Sequence, residues 1–127
     1  MFFGRKQQPP QTPFGEGRYI GDRIAVDWLR WNGVLLTLDW PKNVEPDQTT
    51  VTMIRGGLDT FMRSAIDRLG FHEFPSELRT IVPDTIALHP DDPQENWSLT
   101  FRCAEGGEDI WGVAFRDHEI VRDFYGD

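Results

Sequence analysis

The chain has 127 residues, a formal net charge of −8, 39% hydrophobic residues and five tryptophans. This length suits one domain with its own core, and the hydrophobic content excludes a wholly disordered chain. No apolar run approaches the roughly 20 residues of a membrane-spanning helix, and residues 1–6 are too short for a secretory signal, so we expect a soluble cytoplasmic protein with no membrane contact.

The first 14 residues differ in composition from the rest. They hold three prolines within five positions and show no hydrophobic periodicity. This predicts a flexible Pro/Gln-rich arm over residues 1–14, followed by a single α+β domain over residues 15–127. A docking motif is the alternative interpretation of the arm, because aromatic grooves bind Pro-rich segments.

An Asn-Gly pair at Asn32 and Gly33 lies between two runs of strand-forming residues. It predicts a type I′ hairpin with strands near residues 22–31 and 34–40. A regular register pairs Trp31 with Val34 and places Val26 and Trp28 on the face opposite the core. There Trp28 is either a half-covered edge residue or an anchor for a partner, since tryptophan is enriched at interface hot spots.

After Asp47 the apolar residues recur at spacings of three and four, which predicts an amphipathic helix. Asp47 or Thr49 is suited to cap its N-terminus, and Gly70 is suited to end it. Gly56 and Gly57 fall inside this helix, and close approach to the sheet is one reason for them. The apolar positions are Val51, Ile54, Leu58, Phe61, Met62, Ala65, Ile66 and Leu69.

The C-terminal half consists of short alternating segments near residues 84–89, 96–104, 110–115 and 119–125. Short turns make sequential strands antiparallel neighbours, so these segments predict a meander. Together with the first hairpin they predict an α+β fold: a twisted, mostly antiparallel sheet with one long amphipathic helix packed on one face.

Acidic residues concentrate at the C-terminal end, where residues 84–127 carry eleven acids and three arginines. Such a surface repels phosphate backbones, so we expect no nucleic-acid binding. The surface favours a basic protein partner, with ordinary solubility as the alternative reason for the acids. The candidate partner-binding residues are Trp28, Asp91, Asp92, Glu105, Glu108 and Asp109.

No catalytic signature is present. Cys103 is the only cysteine, the serines lack a nucleophile elbow, and His72, His89 and His118 lie far apart in the sequence. We therefore expect no catalytic residue, no metal and no cofactor. A pocket where one of the three histidines converges with carboxylates would instead indicate a small enzyme.

Three apolar runs stand in the C-terminal half: Ile86-Ala87-Leu88-His89-Pro90, Trp97-Ser98-Leu99-Thr100-Phe101 and Trp111-Gly112-Val113-Ala114-Phe115. Over about residues 84–125 this succession is similar to small uncharacterised bacterial domains that include immunity proteins of polymorphic-toxin systems. The resemblance implies a cytoplasmic α+β protein that binds and blocks a cognate toxin, and it assigns no functional residue.

We therefore expect a non-enzymatic bacterial protein-binding module, an immunity-type inhibitor of a basic toxin, as a monomer or homodimer. The alternatives are an acidic secretion chaperone, which needs an obligate dimer with a long apolar groove, and a small enzyme.

Overall fold

The computed structural model describes residues 8–70 and 80–126. In it the chain forms one long helix and a series of short strands, as the two hydrophobic periodicities of the sequence predict. The elements are β1 (Gln11–Thr12), β2 (Gly15–Glu16), β3 (Arg18–Ile20), β4 (Arg23–Trp31), β5 (Val34–Pro41), α1 (Gln48–Leu69), β6 (Ile81–Leu88), β7 (Trp97–Cys103), β8 (Ile110–Arg116) and β9 (Glu119–Gly126).

The turn between β4 and β5 has the predicted geometry. Asn32 and Gly33 both adopt positive φ angles, 49° and 79°, and Trp31 lies opposite Val34. Positive φ at both central positions is the condition for a type I′ turn, whose twist matches that of the flanking strands. The predicted hairpin is confirmed.

Further from this turn, the predicted pairing of β4 with β5 is wrong by one residue. The pairing shifts between Asp27 and Arg30, so that Ile24 lies opposite Trp40. An extra residue on one strand forms a β-bulge, and a shift of one position moves every preceding side chain to the opposite face. Val26, expected on the face opposite the core, is therefore fully buried within the core.

Helix α1 begins and ends at the predicted residues. The Asp47 side chain accepts a hydrogen bond from the Thr49 backbone N–H at 3.0 Å, which satisfies one of the free donors of the first turn. Gly70 ends the helix in the left-handed region at φ 67°, and its N–H donates to the carbonyls of Ile66 and Asp67.

The two glycines inside α1 do not mark a close approach to the sheet. A Cβ added at Gly56 would meet open space, and one added at Gly57 would come 2.9 Å from the ring of Phe61, one turn further along the same helix. Every position of the predicted stripe is buried or partly buried, and Thr50 is buried in addition. The fully buried members of the stripe are Val51, Ile54, Phe61, Met62 and Ala65, and the partly buried ones are Leu58, Ile66 and Leu69.

Seven strands of the described chain form one sheet in the order β3-β4-β5-β6-β7-β8-β9. All neighbours are antiparallel except β5 and β6, where Leu38 lies opposite Ile86 in a parallel pair. The long connection through α1 makes this parallel pairing possible, because parallel neighbours require a crossover. The predicted α+β class and the C-terminal meander are both confirmed.

The core lies between α1 and the sheet. Trp97 stacks on Phe115 with ring centroids 4.0 Å apart, and Phe61 of α1 meets both rings edge-on at 4.9 and 5.4 Å. Stacked and edge-to-face arrangements are those that aromatic quadrupoles favour. Cys103 is buried in the same core.

We call the opposite side of the sheet the outer face. It carries small residues in the central strands, among them Ala25, Ser98 and Ala114, all buried. Arginines and carboxylates extend over these small residues and pair with one another. The pairs are Arg18–Asp27 (3.2 Å), Arg23–Asp39 (2.8 Å), Arg102–Asp84 (3.1 Å) and Arg122–Glu95 (2.6 Å).

Residues 1–7 of the predicted arm lie outside the described residues. The remainder contains β1, which pairs with β2 in a small hairpin. Phe14, at the turn of this hairpin, contacts the rings of Trp28 and Trp40 at centroid distances of 6.1 and 5.6 Å. The division of the chain at residue 14 stays a prediction.

Within residues 8–70 and 80–126, no helix combines the length and hydrophobicity that crossing a bilayer requires.

Candidate functional site

A cleft of about 440 Å³ opens at the end of the sheet where β4 begins and β5 and β6 end. One wall is the β6–β7 loop, residues 89–96, which we call the acidic loop. The lining residues are Arg23, Pro41, His89, Pro90, Asp91, Asp92, Pro93 and Gln94. Because proline fixes φ, three prolines make these walls stiff.

Arg23 connects three neighbouring strands beside the cleft. From β4, its guanidinium binds the Asp39 carboxylate of β5 at 2.8 Å and donates to the Leu88 carbonyl of β6 at 2.7 Å. Burial raises the pKa of Asp39, and the charge and hydrogen bond of Arg23 oppose this rise. The hydrogen bond to Leu88 therefore joins the two halves of the sheet across the parallel β5–β6 pair, while the ion pair lies within the first half.

His89 lies at the base of the acidic loop with its Nε2 2.9 Å from Ser98 Oγ. Burial lowers the pKa of His89 and the Arg23 charge adds to this effect, while the carboxylates of Glu95, Asp39 and Asp92 oppose it. The imidazole is thus neutral near pH 7, and one ring nitrogen is available as a proton acceptor.

The acidic loop is held to the sheet at several points. Glu95 is 8% exposed and receives two hydrogen bonds from Arg122 of β9, at 2.7 and 2.6 Å. The Asn96 side chain donates to the Asp117 carboxylate at 2.9 Å and accepts from the Asp117 N–H. Arg116 donates to the carbonyl of Pro93. These contacts fix the backbone of the loop relative to β8, β9 and the turn between them.

The tip of the acidic loop presents two exposed carboxylates, Asp91 and Asp92. Asp92 Oδ1 accepts the backbone N–H of Gln94 at 2.8 Å, and this hydrogen bond lowers the pKa of Asp92. An Asp side chain that bonds backbone two residues further on stabilises a tight turn. Asp92 therefore shapes the tip, and its lowered pKa favours the charged carboxylate.

The other three predicted acids lie far from this cleft. Glu105, Glu108 and Asp109 follow the end of β7, whereas the acidic loop precedes its start, and a strand of this length separates the two loops by about 20 Å. The Glu105 carboxylate accepts the N–H of Thr80 at 3.0 Å. The predicted acidic surface is thus divided into two separate patches.

Trp28 belongs to neither patch. The predicted position of Trp28 on the face opposite the core is wrong: it is half-buried against the core on the helix side of the sheet, and the Arg55 guanidinium lies 5.5 Å from its ring centroid. Its role as a partner anchor stays a prediction.

The three histidines do not converge in the described residues. His89 alone lies among carboxylates, while His118 is exposed with its ring 5.6 Å from that of Phe61. His72 lies outside the described residues. In the described part of the chain, no three His, Cys, Asp or Glu side chains are arranged to hold a metal ion.

Sequence reasoning missed Arg23, Asp39, Glu95 and Arg122. Arg23 and Asp39 carried a signal of opposite charge on neighbouring strands, but the bulge hid their proximity. Glu95 and Arg122 lie 27 positions apart and gave no local signal.

The comparisons add no relatives: no protein-family model, no curated protein and no solved structure matches the chain.

Proposed function

We propose that this protein is a bacterial binding module that neutralises a basic protein partner, in the manner of a cytoplasmic immunity protein, through the acidic loop and its cleft. The observation that carries the proposal is the construction of this loop. Its base is fixed by Glu95 and Asn96, whereas Asp91 and Asp92 are exposed at its tip.

A fixed loop favours tight binding. Association costs free energy when loops and side chains become ordered, and a loop already held in one geometry reduces this cost. The Glu95–Arg122 and Asn96–Asp117 contacts supply this order before any partner arrives. A rigid scaffold presenting a loop is also the usual arrangement of binding residues in proteins.

The distribution of charge supports the acidic loop, rather than the rest of the outer face, as the binding site. Across that face, four arginines pair with four carboxylates, so the local charges cancel. At the tip, Asp91 and Asp92 add two negative charges beside a cleft wide enough for a lysine or arginine side chain. Exposed charges of this kind accelerate encounter with a basic surface.

The test compares two variants with the same change in net charge. Asp91→Asn/Asp92→Asn removes the charges of the acidic loop, and Glu105→Gln/Glu108→Gln removes two charges at the other end of β7. Partners captured from the native host on immobilised wild-type protein are identified, purified and measured by binding kinetics at low and high salt.

We expect the first variant to slow association by about tenfold at low salt, with a weaker effect at high salt, because screening removes steering. The second variant is expected to bind nearly as wild type does. Equal slowing by both variants would show that only net charge matters. A larger effect of the second variant would indicate that the partner binds near Glu105 and Glu108.

A second candidate function is a small hydrolytic enzyme. His89 lies beside the cleft and interacts with the charges of Asp39 and Glu95, and its Nε2 lies 2.9 Å from Ser98 Oγ. This is the convergence of a histidine with carboxylates that would indicate an enzyme. Ser98 is only 5% exposed, which counts against it as a nucleophile. Turnover of a small activated ester that both His89→Gln and Ser98→Ala abolish would favour the enzyme.

A further inference from the structure

His89 is held in a fixed position in the wall of the cleft. Its backbone N–H donates to the Asn96 carbonyl at 2.9 Å, so the first residue of the acidic loop is bonded to the last. Its own carbonyl accepts the N–H of Asp92 at 3.2 Å. The ring is partly buried, and the contact of Nε2 with Ser98 Oγ orients it while it remains part of the lining of the cleft.

Most of the charged groups around His89 form ion pairs with one another. The pairs are Arg23–Asp39 at 2.8 Å and Arg122–Glu95 at 2.6 Å. The charges within each pair cancel, so the Asp91 and Asp92 carboxylates supply the net negative charge of the cleft. His89 lies in the same wall as these two carboxylates.

His89 is the group that changes the charge of this wall near neutral pH. Of the described residues that line the cleft, it alone has an ordinary pKa between about 5 and 8. Burial and the Arg23 charge lower this pKa, so the ring is neutral near pH 7. Once protonated, the ring offsets one of the two negative charges of the tip. The carboxylates that favour protonation are Glu95, Asp39 and Asp92.

We propose that the charge of His89 controls the binding of a basic side chain in the cleft: a guanidinium or ammonium group binds while His89 is neutral and is weakened once His89 is protonated. This inference rests on the proposed function, because it concerns the same acidic loop and a basic partner. Two unit charges a few ångströms apart in a largely hydrated cleft interact strongly enough to change an affinity by about three- to tenfold.

The test titrates a small cation into the full chain. The probe is a peptide of one arginine between two glycines, acetylated and amidated so that only its side chain is charged, and the control peptide carries citrulline, the neutral isostere of arginine. The proteins are wild type and His89→Gln, with His89→Asn in case His89→Gln does not fold. The readout is the shift of the Asp92 and Gln94 backbone amide signals in NMR at about pH 7.5 and about pH 5.5.

We expect wild type to bind the arginine peptide about three- to tenfold more tightly at the higher pH. The ratio of the two affinities should be close to one in His89→Gln, and the citrulline peptide should bind more weakly than the arginine peptide at the higher pH. Because burial raises the pKa of Asp39, this carboxylate is a second source of pH dependence, and its effect persists in His89→Gln. The difference between the two proteins therefore isolates His89.

The outcomes separate this inference from the proposed function. Equal affinities of wild type at both pH values, or the same ratio in His89→Gln, would overturn control by His89 and leave the acidic loop as a binding site. An arginine peptide that shifts neither amide signal, or that binds no better than the citrulline peptide, would overturn binding of a cation in the cleft. The kinetics of Asp91→Asn/Asp92→Asn with the protein partner decide the proposed function independently.

Discussion

Replacing Arg122 by methionine tests the attachment of the acidic loop. Arg122→Met keeps much of the aliphatic stem and removes both hydrogen bonds to the Glu95 carboxylate. Glu95 then remains a nearly buried charge with no cation beside it. A buried carboxylate without a partner is costly because it has lost its hydration.

The exposed fractions of the two side chains determine how much stability Arg122→Met is expected to lose. Exposed ion pairs contribute about 0–1 kcal/mol, and losing one partner of a fully buried pair costs about 3–5 kcal/mol. The Glu95 side chain is 11% exposed and that of Arg122 is 53% exposed, so this pair lies between the two cases. We expect a loss of about 2 kcal/mol in unfolding free energy, or a fall of about 6–10 °C in Tm for a chain of this size.

The assay is urea unfolding followed by tryptophan fluorescence. Arg68→Met is the matched control, because the Arg68–Asp123 pair is about half exposed on both sides and should cost under about 1 kcal/mol. The double variant Glu95→Gln/Arg122→Met should regain about 1 kcal/mol, since no buried charge remains. A cost of Arg122→Met no larger than that of Arg68→Met would contradict a costly unpaired charge at Glu95, and so would a double variant no more stable than Arg122→Met alone.

Two further predictions concern stability. Because burial lowers the pKa of His89 in the folded chain, the unfolded chain takes up this proton first, and stability should fall as the pH drops through the ordinary histidine range near 6.5 and below it. Thermal unfolding of His89→Gln should show a smaller decrease over that range, and parallel curves for the two proteins would contradict this. Gly33→Val should cost about 1–3 kcal/mol because valine is strained at a φ of 79°. Equal midpoints in chemical denaturation would count against this strain.

The sequence predicted those parts of the fold that depend on neighbouring residues. The cap at Asp47, the end of α1 at Gly70 and the turn at Asn32 and Gly33 each follow from local backbone preferences. The meander followed from alternation and short turns. All of these are properties of segments shorter than about 25 residues, where periodicity is informative.

The bulge in β4 and the position of the site could not be predicted in this way. Nothing in the residues near Trp28 distinguishes a regular strand from one with an extra residue, and the choice is made by burial of Ile24 and Val26 against the helix. The cleft depends on β6 lying beside β5, which brings His89 and Asp39 together from strands about 50 positions apart. Such proximity is set by the whole fold.

The parallel β5–β6 pair also has a consequence for how the chain folds. The strands on either side of it, β3 to β5 and β6 to β9, are joined to their neighbours by short connections, so each set can form from residues close in sequence. Joining the two sets requires closure of a long loop. The entropy cost of this closure is offset only when α1 packs against the sheet. The hydrogen bond from Arg23 of β4 to the Leu88 carbonyl of β6 crosses this junction, so we expect it to form in the last part of assembly, whereas the Arg23–Asp39 pair can form within the first set.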